Sequence, residues 1–243
     1  MFSLYVRELK AFLNSVLGYV FMAVFLIITG LFLWFFATPA NILQSAMADV
    51  SGLFNIAGFL FLFLIPSITM RSFAEEKRLG TMELLLTKPL SDTQIILAKY
   101  LACLTLLVLA LLPTLIYVLS VYNLGNPVGN IDLARTFGSY MGLIFLGSAF
   151  ISIGLFISSL TNNQMIAFIL TAPICFIAFV GFDFVYDFDI FGSFGYFIRK
   201  LGLNYHYLSI SKGVVESRDL IYFTIYTVFF LLLTKISLLS RKW

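Results

Sequence analysis

Six long apolar runs decide what this chain can fold into. They cover residues 17–37, 53–70, 96–120, 136–160, 164–182 and 220–234, the last continuing toward Leu239. A helix needs about 20 mainly apolar residues to cross a bilayer. Backbone N–H and C=O groups in lipid must find partners within their own element, and long runs without alternation do that as helices, not as barrel strands. The membrane-embedded parts of these runs are expected to carry no charge before Lys235, which lies close enough to a helix end to snorkel. Lys99 is read as the cytoplasmic start of the third span.

Composition supports this reading. Hydrophobic residues make up 61% of the 243 and charged residues 11%, against about 25% charged in an ordinary soluble domain. So much apolar surface cannot be hidden by water-soluble packing. A net charge of +3 points to no nucleic-acid partner. Cys103 and Cys175 sit singly in apolar runs, which suits small buried residues and gives neither a disulfide framework nor a metal-type spacing. The first apolar run is longer than the roughly 7–15 residues of a signal-peptide core, and Ala46-Met47-Ala48 lies well beyond its end, so a retained span is expected.

Orientation follows from the basic residues. With the N-terminus cytoplasmic, Arg7, Lys10, Arg71, Lys77, Arg78, Lys88, Lys99, Lys235, Arg241 and Lys242 lie inside, against Arg135, Arg199, Lys200, Lys212 and Arg218 outside. Both termini are then cytoplasmic. Four of the five outer cations fall in one long segment. The expected fold is all-α integral membrane, a single domain over 1–243, with six transmembrane helices. Residues 1–15 form an interfacial amphipathic helix, because Phe2, Tyr5, Val6, Leu9, Phe12 and Leu13 repeat at steps of three and four. The outer segment 183–219 makes one or two short helices that enter the outer leaflet and return.

Between spans two and three lies a charged island, AEEKRLGTMELLLTKPLS, over residues 74–91. Glu75-Glu76 followed by Lys77-Arg78 suits a helix macrodipole. Gly80-Thr81 offers a break and a cap, and Met82, Leu84, Leu85 and Leu86 give a short apolar turn. Pro89 disfavours helix at the preceding residue, and Ser91-Asp92 caps the next one. This describes a short amphipathic helix lying across the membrane face, suited to meeting a soluble partner.

Elsewhere, the fourth span carries Gly138, Gly142, Gly147, Ser148, Ser152, Gly154 and Ser158, which permit close helix approach. Pro113 and Pro173 act as hinges or as static kinks. Asp183, Asp187, Asp189 and His206 invite a metal or proton-relay reading, but the surrounding Phe and Tyr residues read as an interfacial belt. No metal site and no cofactor are expected.

The run from Glu76 to Ser91 resembles the signature of ABC type-2 transporter permeases: acidic-basic, then Gly-Thr-(Leu/Met)-Glu-x-Leu-Leu, then Pro-Leu-Ser, placed between spans two and three. The order of elements along the whole chain is similar too. Within the family, the wording most resembles permease subunits associated with gliding motility in Bacteroidetes-type bacteria. The resemblance implies a permease in a bacterial cytoplasmic (inner) membrane. Its partners would be a separate ATP-binding ABC ATPase subunit, a second permease copy or related membrane subunit, and the lipid bilayer. Residues 80–87 would form the coupling helix within a coupling region 72–94. Glu75, Glu76, Lys77, Arg78, Gly80, Thr81, Glu83, Leu84 and Leu85 would be the ATPase-coupling residues, with residues 1–15 as a second contact. The cargo would be exported, or the force passed to a gliding or secretion machine. The chain has no Gly-x-x-x-x-Gly-Lys-Ser/Thr loop, so ATP hydrolysis is expected elsewhere. The competing reading is an ATP-independent carrier or channel for an amphipathic solute. It would usually keep charges at mid-membrane depth.

Overall fold

The computed structural model describes residues 1–44, 48–82, 91–188 and 192–240. Among these residues there is no strand, and six helices are long and apolar enough to cross a membrane. Helix α1 (Phe2–Leu13) turns at Asn14 into α2 (Val16–Trp34), where Ser15 caps by accepting from Gly18 N at 3.3 Å. The turn is tight: a Cβ on Gly18 would run into the Phe12 carbonyl. Helix α2 buries Gly18, Phe21, Phe25, Thr29 and Leu33, a single stripe at steps of three and four. Leu17, Met22, Leu26 and Trp34 flank that stripe half-buried, and Val16, Tyr19, Val20, Ile27 and Leu31 face outward, the distribution expected of a helix with lipid on one side.

The second span is α3 (Ser51–Thr69), followed after Met70 by the short α4 (Arg71–Arg78). The third is α5 (Asp92–Leu111), a 3-10 turn at Leu112–Thr114, and α6 (Leu115–Leu124). Ser91 and Gln94 form a reciprocal capping box at its start, so the expected cap is present. Pro113 sits in the 3-10 turn, where its missing N–H does least harm. The fourth span is the 28-residue α7 (Leu133–Leu160). The fifth is α8 (Gln164–Phe176), which contains Pro173 and passes through a π-helical turn at Ile177–Gly181 into α9 (Phe182–Asp187). After residues 189–191, which lie outside the described set, come α10 (Gly195–Arg199), α11 (Leu203–Ile210) and the sixth span α12 (Ser217–Leu239). Asp189, singled out above, falls in that stretch.

Helix α7 is the hub, packed by α3, α4, α5, α8, α11 and α12. Its small residues explain how one helix serves so many neighbours. A Cβ at Gly154 would strike the Thr69 side chain on α3, and one at Gly147 would strike Leu107 on α5. A Cβ at Gly138 would sit 2.6 Å from the Ile210 carbonyl at the end of α11. Ser148 shares a 3.0 Å hydrogen bond with Thr227 of α12. The small-residue pattern of the fourth span is therefore internal packing. Helix α11 is wedged into the same end of the bundle, burying Leu203, His206, Tyr207 and Ile210, with the Tyr207 hydroxyl donating to the Phe54 carbonyl at 2.9 Å.

Filling the closest contact should be costly. Gly154→Leu is expected to destabilise the protein by about 1–3 kcal/mol through overpacking against Thr69, read as a lower unfolding temperature in detergent. An unchanged unfolding temperature would mean that α3 and α7 separate at no cost and that the close approach contributes nothing.

Candidate functional site

Helix α4 exists where it does because α7 completes its first turn. The first N–H groups of any helix lack intrahelical partners. Here the Ser158 hydroxyl of α7 accepts from Phe73 N and Ala74 N, both at 3.1 Å, and donates to the Met70 carbonyl at 3.1 Å. It acts as an N-cap supplied by another helix. One turn on, Lys77 Nζ donates to the Ser159 carbonyl at the C-terminal end of α7, which also accepts from Ser237 of α12 at 3.3 Å. A cation at a helix C-terminus is favourable there. Leu79 closes α4, and Gly80 follows at φ +68° in the left-handed conformation that terminates helices. The expected break at Gly80 is thus real. The Thr81 hydroxyl turns back to the Glu76 carbonyl at 3.3 Å.

The other face of α4 meets α1 and α5 in a ring of four charges. Lys99 Nζ lies 2.9 Å from Glu76 Oε1 and 3.3 Å from Glu8 Oε2. Arg7 closes the ring at 2.7 Å from Glu8 and 3.5 Å from Glu76. The charges sum to zero. The Lys99 side chain is 2% exposed and the two carboxylates 14% and 15%, while Arg7 is half-exposed. The ammonium also sits 5.3 Å from the Phe73 ring centroid, within cation–π range. Farther along α1, the Tyr5 hydroxyl pairs with Thr105 of α5 at 2.9 Å. Three elements far apart in sequence are thereby fixed to one another.

Beside the ring, between α1, α4, α5 and the start of α2, lies a cavity of about 340 Å³ lined by Arg7, Glu8, Ser15, Arg71, Glu75 and Glu76 among others. Arg71 Nε and Glu76 Oε2 are buried there without a hydrogen-bond partner among the described residues. The site thus offers one free donor and one free acceptor.

The structure divides the expected coupling residues. Glu76 and Lys77 are engaged within the chain, Glu75 lines the cavity, and Arg78, Leu79 and Gly80 are exposed. Thr81 is half-buried against α4. Glu83, Leu84 and Leu85, with most of the proposed coupling helix, lie outside the described residues. Sequence reasoning missed the role of Lys99. The available signal was its place eight residues inside an apolar helix, where a cation requires partners, and Glu8 on a helix otherwise read as merely interfacial.

At the opposite end, the residues read as an interfacial belt have partners. Asp183 accepts from Arg199 Nε at 2.9 Å and Asn204 Nδ2 at 2.6 Å. His206 Nε2 donates to the Lys200 carbonyl at 2.9 Å, and its Nδ1 lies 2.7 Å from Asp219, with the ring stacked on Tyr222 at 3.8 Å. Asp187 is exposed and Asp189 lies outside the described residues. Among the described residues, no group of His, Cys, Asp and Glu side chains is arranged to hold a metal ion.

These six apolar helices and the charged junction at one end define a multi-pass membrane subunit. A family model described as ABC-2 family transporter protein matches residues 44–234. The chain belongs to that family, whose members are the membrane permease subunits of ABC transporters, not their ATPases, and whose membership implies an ABC ATPase partner. The match includes α4 and the residues after it and leaves out α1. A comparison with curated proteins gives no match.

Removing Lys99 leaves two carboxylates facing each other in a nearly closed site. Lys99→Met is expected to cost about 3–5 kcal/mol, as for one partner lost from a buried ion pair, and to speed tryptic cleavage at Lys10 as α1 loosens. The triple change Glu8→Gln, Glu76→Gln, Lys99→Met should recover most of that loss. Lys99→Met at wild-type stability would show that the ring holds nothing together.

Proposed function

We propose that this chain is the permease subunit of an ATP-driven ABC type-2 exporter in a bacterial inner membrane, with both termini and α4 on the cytoplasmic side. A separate ATPase would dock on the exposed Arg78, Leu79 and Gly80 and on residues 81–87, with α1 as a second contact. Two copies, or one copy and a related membrane subunit, would complete the transporter. The match to gliding-motility permeases remains one of motif wording, to which the fold adds nothing.

The observation that carries the reading is the ring of Arg7, Glu8, Glu76 and Lys99, immediately before the exposed Arg78–Gly80 turn. It makes α1, α4 and α5 one mechanical unit, and α4 is tied in turn to α7 and α12 through Ser158 and Ser159. A push delivered at residues 78–87 or at α1 would reach the membrane helices through short hydrogen bonds and ion pairs instead of through a slack loop. Glu76 and Lys77 then transmit, and Arg78, Leu79, Glu83, Leu84 and Leu85 recognise. This division goes further than the motif, which treats all of them as contacts.

The decisive experiment is affinity purification of the tagged chain from its own membranes in mild detergent. The proposal expects a soluble protein with a phosphate-loop motif in fixed ratio. Leu79→Asp and Leu85→Asp, made singly, should leave insertion and unfolding temperature unchanged. Each should cut the co-purified ATPase by about tenfold or more, as for a central interface residue. An ATPase that binds both variants as it binds the wild type removes the docking assignment. Recovery of the chain alone, even after crosslinking at Leu79, favours a carrier.

A further inference from the structure

The end of the bundle opposite α1 holds a basin of about 850 Å³ that the permease reading leaves without a task. Four cations reach it from four different elements: Arg135 from the first turn of α7, Arg199 from α10, Lys212 from just beyond α11 and Arg218 from α12. Among the described residues, one carboxylate, Glu216, lines it. Hydroxyls of Ser51, Ser139, Ser209, Tyr196 and Tyr205 add hydrogen-bonding capacity. Three of these cations, Arg199, Lys212 and Arg218, come from the one connecting segment 183–219.

Their existing partnerships leave them available. Arg135 is 3.7 Å from Asp49, and Arg218 is 2.9 Å from Glu216, with both side chains of each pair more than a third exposed. Exposed pairs of this kind contribute about 0–1 kcal/mol. A guanidinium has five N–H donors; Arg135 engages one nitrogen with Asp49, and Arg218 engages one with Glu216 while its Nε lies 4.0 Å from the buried Asp219. Arg199 differs: Asp183 at 2.9 Å and the Tyr186 ring at 4.9 Å hold its guanidinium in place at the basin wall. The Tyr205 hydroxyl and, after it, the Lys200 charge hold the Tyr196 phenol below its ordinary range, which makes it a better donor to an anion. The basin wall also carries apolar groups, Phe54, Leu208 and Val214, the last two exposed.

A fork of arginines suits the several oxygens of a phosphate, and a neighbouring apolar wall suits an acyl or prenyl body. We propose that this basin binds the phosphate-ester headgroup of an anionic amphiphile. The inference rests on the chain being a membrane subunit and is independent of whether an ATPase docks at the other end.

The test is native mass spectrometry of the purified, delipidated full chain. It is titrated separately with phosphatidylglycerol, phosphatidylcholine and sn-glycerol 3-phosphate. Phosphatidylglycerol is expected to bind more tightly than either of the others. The double change Arg135→Gln, Lys212→Gln should weaken it about tenfold, as for the loss of two charge-assisted contacts at a hydrated site. Lys10→Gln, an exposed cation at the other end, should change nothing. Unfolding temperatures establish that each variant is folded, and Arg218→Gln replaces the double change if it is not. Equal binding of the two lipids, or undiminished binding by the folded variant, overturns the proposal. Glycerol 3-phosphate binding as tightly as the lipid also overturns it, in favour of a site for a soluble phosphate ester.

Discussion

A lysine ammonium taken out of water loses several kcal/mol of hydration even after the protein relaxes around it. Lys99 is in that position at 2% exposure, and it is placed by two carboxylates at 2.9 and 3.3 Å. At an effective dielectric of about 20, an ion pair near 4 Å gives about 4 kcal/mol, so one carboxylate would leave the ammonium marginal and two make it secure. Two carboxylates so close would repel each other without it. The cation needs Glu8 from α1 and Glu76 from α4 together, and each carboxylate needs the cation. Neither helix can shift alone without exposing or stranding a charge. That mutual requirement joins the N-terminal helix to the rest of the fold.

The ring would have little to hold if α4 were not already fixed on its other side. Ser158 supplies the cap that the sequence around Met70 lacks, and the Ser159 carbonyl receives both Lys77 and Ser237. Consecutive small polar residues at the end of α7 thus join α4 and α12 to the hub. The glycines higher in the same helix bring α3 and α5 close enough for these short bonds to form. Packing and polar anchorage are therefore two consequences of one small-residue helix.

What the sequence made legible was whatever depends on local pattern. Six spans follow from apolar length, and the cap at Ser91, the break at Gly80 and the small-residue face of α7 follow from residue type alone. The pairing of Arg7, Glu8, Glu76 and Lys99 was not legible, because partners 69 and 91 positions apart leave no periodic trace. Lys99 was instead grouped with the surface cations by its nearness to a helix start. Glu76 and Lys77 were grouped with Arg78 as one polar patch, since a run of charges does not say which face turns inward. His206 was read as part of an interfacial belt, but its partner Asp219 comes from the next span and carries no signal of its own.

The two ends of the bundle solve opposite electrostatic problems. At the α1 end, four charges cancel within the chain and are held in a nearly closed ring, so a displacement there must carry several helices with it. At the far end, cations keep loose or partial partners around an open basin, so an incoming anion can replace a weak ion pair at little cost. A permease driven from outside the membrane needs both properties and needs them apart: a stiff region where force enters and a yielding region where a charged ligand is held and released. On the proposed reading, exchanging the paired and the open charges between the ends would let the end that receives force slip and leave the basin filled by the chain's own side chains.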